Sequence, residues 1–424
     1  MKKNLLSTFC CLCILIFSKC YGQNKNSNSL ETIDIEANMK KMEIMNLSQF
    51  YTDLVYIPLE TKEGLPLRYI DKIDISENNI LVSDNNVCLL YDRKGHFISK
   101  IGNKGRGPEE YQYESNVGFG AKKKIYLASL FDLFQYSQNG SFLNKYSKCF
   151  LIKENFYIEK WIIIDDSLIF GHVTNSSGLI EYKAIIFNKK GQIKYSFKNY
   201  SLFKRDKPTG GREGMSHIYR FKNEIYYKGL FNDTLFSLTK TYQLTPKYNF
   251  YLGKFKEPDS ERAKIVGNDL MRYFHLYSVF QTSNYLFLDC SFGNQFPAMR
   301  LTPKQYSVQT VKPNWYNTTN ALGIFDKGTH KLIFCKPTST DNPLFTSGLY
   351  NDIDAGPRFF PKRQVNDSTM AMWIDVKQLK DHVNSSDFIN NIPKHPEMKK
   401  KLEELAKSLN EFDNPILIFV TFKK

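Results

Sequence analysis

Beyond its first two dozen residues this chain has no apolar run near the roughly 18 residues that a membrane-crossing helix needs. Cysteine is scarce as well. Of eight in 424 residues, Cys10, Cys11, Cys13 and Cys20 crowd the N-terminus. Cys88, Cys149, Cys290 and Cys335 are isolated, and a disulfide framework needs denser cysteine in a shorter chain. Three of these four sit among alternating apolar residues, where a thiol packs as a small hydrophobe. The seven histidines show neither H-x-x-x-H nor H-E-x-x-H spacing, and there is no G-x-S-x-G elbow and no D-x-D-x-D-G calcium loop. Acidic residues are outnumbered, 43 against 58 basic, for a net charge of +15. Apart from Lys122–Lys124 and Lys399–Lys401 the basic residues are dispersed, as on a solvated surface whose lysines block edge pairing.

What is present begins with an export signal. Lys2 and Lys3 precede an apolar run from Leu5 to Phe17, and small residues follow at Cys20 and Gly22. Residues 1–22 therefore read as a signal peptide cleaved after Gly22, and export makes nucleic acid an unsuitable partner. Lipid attachment at Cys20 is the alternative, opposed by the bulky, charged Lys19 before it. Residues 23–45 are polar, lack a periodic core pattern and read as a flexible segment.

One phrase then recurs: an apolar pair, an aromatic, polar residues, a glycine and another alternating strand. It reads LLYDRKGHFISKIG at 89–102, FQYSQNGSFLNKYS at 134–147, AIIFNKKGQIKYSF at 184–197 and GIFDKGTHKLIF at 323–334. Each copy is a β-hairpin signal, with glycine supplying positive φ at the turn. Gly95, Gly140 and Gly191 are 45 and 51 residues apart, and Gly328 follows after room for further units. All-strand repeats of this length predict an all-β chain folded as a β-propeller with four-stranded blades.

Strands A to D of the blades fall at 68–75, 79–84, 87–92 and 96–101; at 113–119, 124–129, 131–136 and 142–147; and at 156–164, 167–173, 179–188 and 193–198. The fourth blade takes 216–222, 224–229, 234–239 and 243–252, with Thr241 in place of the turn glycine. The fifth takes 273–281, 285–291, 321–327 and 330–336, around a long insertion. The sixth offers only 349–354, 368–374 and the final strand Pro415–Phe422. DLVYIPLE at 53–60 has no blade of its own, so it is expected to close the ring as the outer strand of blade six. A seven-bladed ring is the alternative, but no hairpin unit remains to build it. Helices are expected over 260–275, between blades four and five, and over 393–409, within blade six. The second carries a stripe of Met398, Leu402, Leu405 and Leu409 that suits packing on the propeller rim.

Three segments resemble the exported six-bladed β-propeller proteins of Bacteroidetes, which are NHL-like in repeat style. They are IGNKGRGPEEY (101–111), with Glu109 where the family has glycine; FNDTLFSL (231–238); and LYNDIDAGPRFFP (349–361), with Ala355 replacing a glycine. With the N-terminal strand and the closing Asn414-Pro415-Ile416-Leu417, the resemblance spans about 45–424 and implies a propeller over 46–424. It implies no activity, because fold does not confer function.

The long connections nearly all join strands B to C or D to A, which share one side of a propeller, and insertions gathered on one side mark a binding face. Candidate ligand-binding residues there are Asp84, Arg106, Glu110, Tyr111, Asp132, Arg212, Asp233, Arg300 and Trp315, accompanied by Asn85, Arg205, Asn232 and Tyr316. Arginine and aromatics together suit a planar or sugar-like ligand. The bland reading is that Asp84, Asn232 and Asp233 cap turns. Asp84, Asn85, Asp132 and Asp233 could supply oxygen ligands for Ca²⁺ in a central channel, but no cofactor is expected. These features favour a non-enzymatic binding or scaffold propeller of the periplasm or cell surface, a monomer whose partner is a glycan, a peptide or an envelope protein. A propeller hydrolase or lyase acting on a sugar or lactone is the second reading.

Overall fold

The computed structural model describes residues 30–424, apart from 115, 153–156, 176, 205–215, 230–231, 259–271, 294, 296–319 and 337–346. It is a six-bladed β-propeller. Blade 1 is Lys72–Ile75, Asn79–Ser83, Cys88–Asp92 and Phe97–Lys100, in spatial order A to D. Blades 2, 3 and 4 repeat this order from Asn116–Phe119 to Phe142–Tyr146, from Tyr157–Ile163 to Ile193–Lys198 and from His217–Phe221 to Leu244–Tyr251. Blade 5 runs from His275–Gln281 to Lys331–Cys335.

The hydrophobic pattern explains the stacking. Strand B of blade 1, NILVS, is buried at every position because blades cover both its faces, whereas strand D, FISK, lies partly open at the rim. The apolar side chains collect in six clusters, one in each gap between neighbouring blades. The turn glycines at 95 and 140 are required twice over. Both have positive φ, and an added Cβ would lie 2.2 Å from the Pro58 carbonyl oxygen or 2.3 Å from that of Lys100, on the outer strand of the preceding blade. In blade 4 Tyr242 takes the left-handed conformation instead, and in blade 5 His330 does so rather than the anticipated Gly328.

Hydrogen bonds between inner strands tie the blades around the axis. Asp74 of blade 1 accepts from Phe119 N of blade 2 at 2.7 Å and pairs with Arg363 of blade 6. Gln281 and Gln364 exchange two bonds between blades 5 and 6, at 2.9 and 2.8 Å. Val279 N donates to His217 Nδ1 between blades 5 and 4, and Arg220 reaches the Ile163 carbonyl of blade 3.

Ring closure follows the sequence expectation. Tyr51–Pro58 pairs antiparallel with Ile416–Phe422, from Ile416 opposite Pro58 to Phe422 opposite Tyr51, and supplies the outer strand of blade 6. Two other expectations are corrected. The inner strand of blade 6 is Arg363–Gln364, not 349–354. In the latter stretch Asn351 Oδ1 accepts from Ile353 N and Asp354 Oδ1 from Gly356 N, and Ala355 has φ 61°. Side chains that capture their own backbone N–H groups make turns at the expense of a ladder. Nor is the stretch 30–45 a bare tail. Glu31–Asp34 adds a parallel fifth strand outside blade 4, and Met42–Glu43 does the same outside blade 5. Between them Asp34 caps a short helix, Ile35–Asn38, and Ile33, Ile35 and Met39 are buried.

The blade 6 insertion carries helices Val376–Val383, Ser386–Ile389 and Pro396–Ser408. In the last of these Leu402 is buried, and Met398, Leu405 and Leu409 pack on the same core, which gives the anticipated rim packing. The helix expected at 260–275 and the leader lie mostly or wholly outside the described residues. All four cysteines among the described residues are buried free thiols. Among those residues no helix is long and apolar enough to cross a membrane.

Candidate ligand cleft between blades 3 and 4

Strand B of blade 3, LIFGHVT, ends at Thr174 and turns through Asn175 and Gly178. Gly178 has φ 82°, and an added Cβ would meet the Phe203 carbonyl oxygen at 1.9 Å, so only glycine admits the strap that crosses here toward blade 4. The strap is sewn down by Asn199 N to Glu181 O and by Phe203 N to Gly178 O at 2.9 Å. Opposite it, strand B of blade 4, EIYYK, brings up Tyr227, followed by Gly229 and Asn232. A cleft of about 30 Å³ opens between them on the side of the B–C and D–A loops.

At its base His172 Nδ1 lies 2.9 Å from the Tyr227 hydroxyl, which is 2.9 Å from the Lys183 carbonyl. A carbonyl only accepts, so the hydroxyl donates to it and accepts from a protonated Nδ1. Burial, reinforced by the nearby Lys228 and Lys160 charges, pushes His172 down to about 4, and the imidazole is neutral near pH 7. The Lys183 ammonium sits 3.9 Å over the Phe236 ring, and burial lowers its pKa. Among the described residues no carboxylate lies within ion-pairing distance of it. Asn175 spends its oxygen on Ile180 N at 2.9 Å, while its buried Nδ2 has no hydrogen-bond partner among the described residues. Asn199 and Ser201 line the cleft, while Tyr200 between them is 82% exposed, with the Lys198 ammonium 5.4 Å over its ring. A Cβ at Gly229 would crowd the Tyr227 hydroxyl at 2.7 Å. Next to it the buried Lys228 donates to the Leu276 carbonyl at 2.6 Å, and burial holds it at about 8.

The residues singled out from sequence do not converge on this cleft. Asp84 is buried, with Oδ1 accepting from Asn86 N and Val87 N and Oδ2 from Arg68 N, so it builds its turn. Asn85 has φ 70° and donates to the Tyr69 hydroxyl at 3.2 Å. Glu110 accepts from Gly107 N at 2.9 Å and closes its own loop. Tyr111 is fully buried in the core between blades 1 and 2, while Arg106 is exposed. Asp132 accepts from Lys148 N at 2.8 Å and pairs with Lys145 at 3.0 Å. Asp233 pairs with Lys256 at 2.7 Å. Of all these only Asn232 lines the cleft, and its oxygen is taken by Thr234 N. Arg205, Arg212, Arg300, Trp315 and Tyr316 lie outside the described residues. Among the described residues no three His, Cys, Asp or Glu side chains converge as a metal site.

Sequence reading passed over His172, Asn175, Lys183, Asn199 and Tyr227. A signal existed. His172 and Lys228 are polar residues near the same end of two B strands whose middles are apolar or aromatic, and a propeller aligns those ends.

No curated protein matches the sequence. Among solved structures, a Bacteroides fragilis protein described as exported is 20% identical, with 93% of this chain and 100% of that one aligned at a TM-score of 0.64. A catalytically inactive virginiamycin B lyase from Staphylococcus aureus is 10% identical, over 70% of this chain and 79% of that one, with a TM-score of 0.36. A Bacteroides caccae protein of unknown function is 11% identical over 68% and 86%, with a TM-score of 0.34. At such identities the first likeness is one of fold, and the other two are too distant to add to it. The sequence itself matches one family across residues 30–421, from the strand outside blade 4 to the last strand of blade 6. The chain belongs to that family, described as a domain of unknown function, DUF4934.

Proposed function

We propose that this chain is an exported binding propeller of the cell envelope, acting in the periplasm or at the cell surface, which holds a glycan or peptide on its B–C and D–A loop side. The leader-like residues 1–22 and the exported description of the Bacteroides fragilis relative support the location. One observation carries the activity: the cleft between blades 3 and 4 is lined by asparagine, serine, tyrosine, lysine and neutral histidine residues, with no carboxylate among the described residues of its lining. Such a set makes directional hydrogen bonds to a polar ligand. General acid–base catalysis works best with a proton-transfer group near the working pH, and His172 at about 4 is far from it.

Isothermal titration of the mature protein against panels of envelope glycans and peptides tests this reading. Saturable binding that weakens with Asn175→Ala or Ser201→Ala is expected. Turnover of the bound compound would overturn it in favour of a hydrolase or lyase.

A further inference from the structure

We propose that the end of blade 2 on the B–C and D–A loop side docks on an anionic lipid surface, with Leu130 and Phe131 entering the apolar layer. The proposal goes beyond the binding reading above, whose cleft opens on the same side.

The turn between strands B and C of blade 2 breaks two rules of hairpin chemistry. Ser129 pairs with Asp132, so Leu130 and Phe131 form a two-residue loop. Such loops favour glycine or asparagine where φ is positive, because a bulky side chain is strained there. Leu130 nevertheless has φ 52°, and among the described residues no other leucine, isoleucine or valine has a positive φ. Turns are also polar as a rule, yet Leu130 and Phe131 are 52% and 46% exposed. Neither choice stabilises the folded chain, and violations of this kind collect where a protein meets a partner.

The surroundings of the tip fit lipid. Tyr113 N donates to Ser129 Oγ at 3.2 Å and Lys148 N to Asp132 Oδ1 at 2.8 Å, so both residues sit beside the pair just below the tip. Phe150 N donates to the Phe131 carbonyl at 2.9 Å, which brings the exposed Leu151 next to the turn. From the tip inward the order is aliphatic and aromatic side chains, then an exposed tyrosine and a lysine. A bilayer has the matching order of acyl chains, interface and headgroups, and tyrosine favours the interface. Charge agrees as well. Asp132 is paired with Lys145 at 3.0 Å and Glu110 is turned to Gly107 N. That leaves the exposed Lys104, Arg106 and Lys148 against Glu109 among the described residues of the two flanking loops, an excess that attracts anionic headgroups. A convex hairpin tip also needs a partner that yields to it, as lipid does. Leu179, in the corresponding turn of blade 3, is exposed too. The A–B and C–D turns of the opposite side carry no exposed large hydrophobic residue among those described. A flat, wide surface can meet both apolar turns together.

Co-sedimentation of the mature protein with vesicles of phosphatidylethanolamine and phosphatidylglycerol tests the assignment. The protein should bind these vesicles, and bind vesicles of phosphatidylcholine alone more weakly. Leu130→Gly combined with Phe131→Ser should lower the partition coefficient at least roughly tenfold, since two apolar side chains no longer leave water. The double variant should still melt cooperatively, because glycine accepts the positive φ. Phe131→Cys gives a second readout that does not depend on that variant's folding. All four cysteines among the described residues are buried, so an environment-sensitive dye attaches at the tip, and its emission should shift to the blue when vesicles are added. Equal sedimentation of parent and double variant, or an unshifted emission, would overturn the proposal. Equal binding to phosphatidylcholine would overturn its anionic part. A dimer in sedimentation velocity that the double variant abolishes, without vesicle binding by the parent, would overturn lipid in favour of a second copy of this chain. These vesicles hold neither glycan nor peptide, so each outcome leaves the binding reading to its own test.

Discussion

Two stretches near the N-terminus, 51–58 and 31–43, meet the propeller in opposite ways. Tyr51–Pro58 enters blade 6 antiparallel, pairs along the whole of Ile416–Phe422 and joins the two ends of the chain within one sheet. Glu31–Asp34 and Met42–Glu43 lie parallel on the outer strands of blades 4 and 5, which are already complete with four strands each. The first segment is part of the ring. The second covers edges that the ring leaves bare, and edge strands are where unwanted pairing begins. Closure thus decides whether a propeller forms, whereas edge covering adjusts its stability and solubility.

Removing residues 46–60 should have the largest effect. It bares the edge of ILIFVTF and unlinks blade 6, and the variant should fail to show a cooperative melt by circular dichroism. A normal melt would refute the distinction. Deleting residues 30–43 should cost less while leaving the six blades intact. Ile33, Ile35 and Met39 are almost wholly buried, and burying such a side chain stabilises by roughly 1.5–3 kcal/mol. A loss on the order of 5 kcal/mol is expected, with self-association through the exposed edges visible in light scattering. If this truncation melts like the intact protein, the parallel strands are ornaments.

A third change separates edge effects from buried charge. Glu114 is fully buried between blades 1 and 2, and burial pushes it from its ordinary 4.5 up to about 7. The folded state therefore holds its proton more tightly, and stability is lost as pH rises from about 4.5 through about 7. Glu114→Gln should gain on the parent by on the order of 3 kcal/mol between pH 4.5 and pH 8, whatever constant offset the amide brings. His172 titrates with the opposite sign, losing stability as pH falls below 6.5, but it is common to both proteins and cancels in the difference. Urea melts at pH 4.5 and pH 8 measure it, and a pH-independent difference would show that Glu114 is not desolvated. The smallest effect is expected for His330→Gln, which removes the half-exposed pair between the blade 5 turn and Glu31. Pairs of this exposure contribute about 0–1 kcal/mol, so a larger loss would make the N-terminal strand more dependent on that contact than on its burial.

Much of this architecture was readable in the sequence because its causes are local. Glycine at hairpin turns, alternation in outer strands and near-continuous apolar middle strands each report on a few adjacent residues. The blade count, the spare strand at 53–60 and the helix carrying Leu402 follow from them. Residues 30–45 were missed because their apolar positions are few and irregular, and only the open edges of blades 4 and 5 make them a strand. LYNDIDAG was read as strand because its apolar residues alternate, although its Asx side chains favour turns. The site was harder still. Asp84, Asp132 and Asp233 carried the expected chemistry, but all three serve backbone N–H groups or neighbouring lysines.

By itself, then, the order of residues determined the repeat, the strand periodicity and the means of closing the ring, since each depends on backbone conformations that short stretches prefer. Only the tertiary structure decided which polar groups gather in one cleft. His172, Lys183 and Asn199 belong to blade 3 and Tyr227 to blade 4, and they become neighbours when two sheets stack. Whether a side chain is spent or available depends on partners far away in sequence, and no local pattern encodes that.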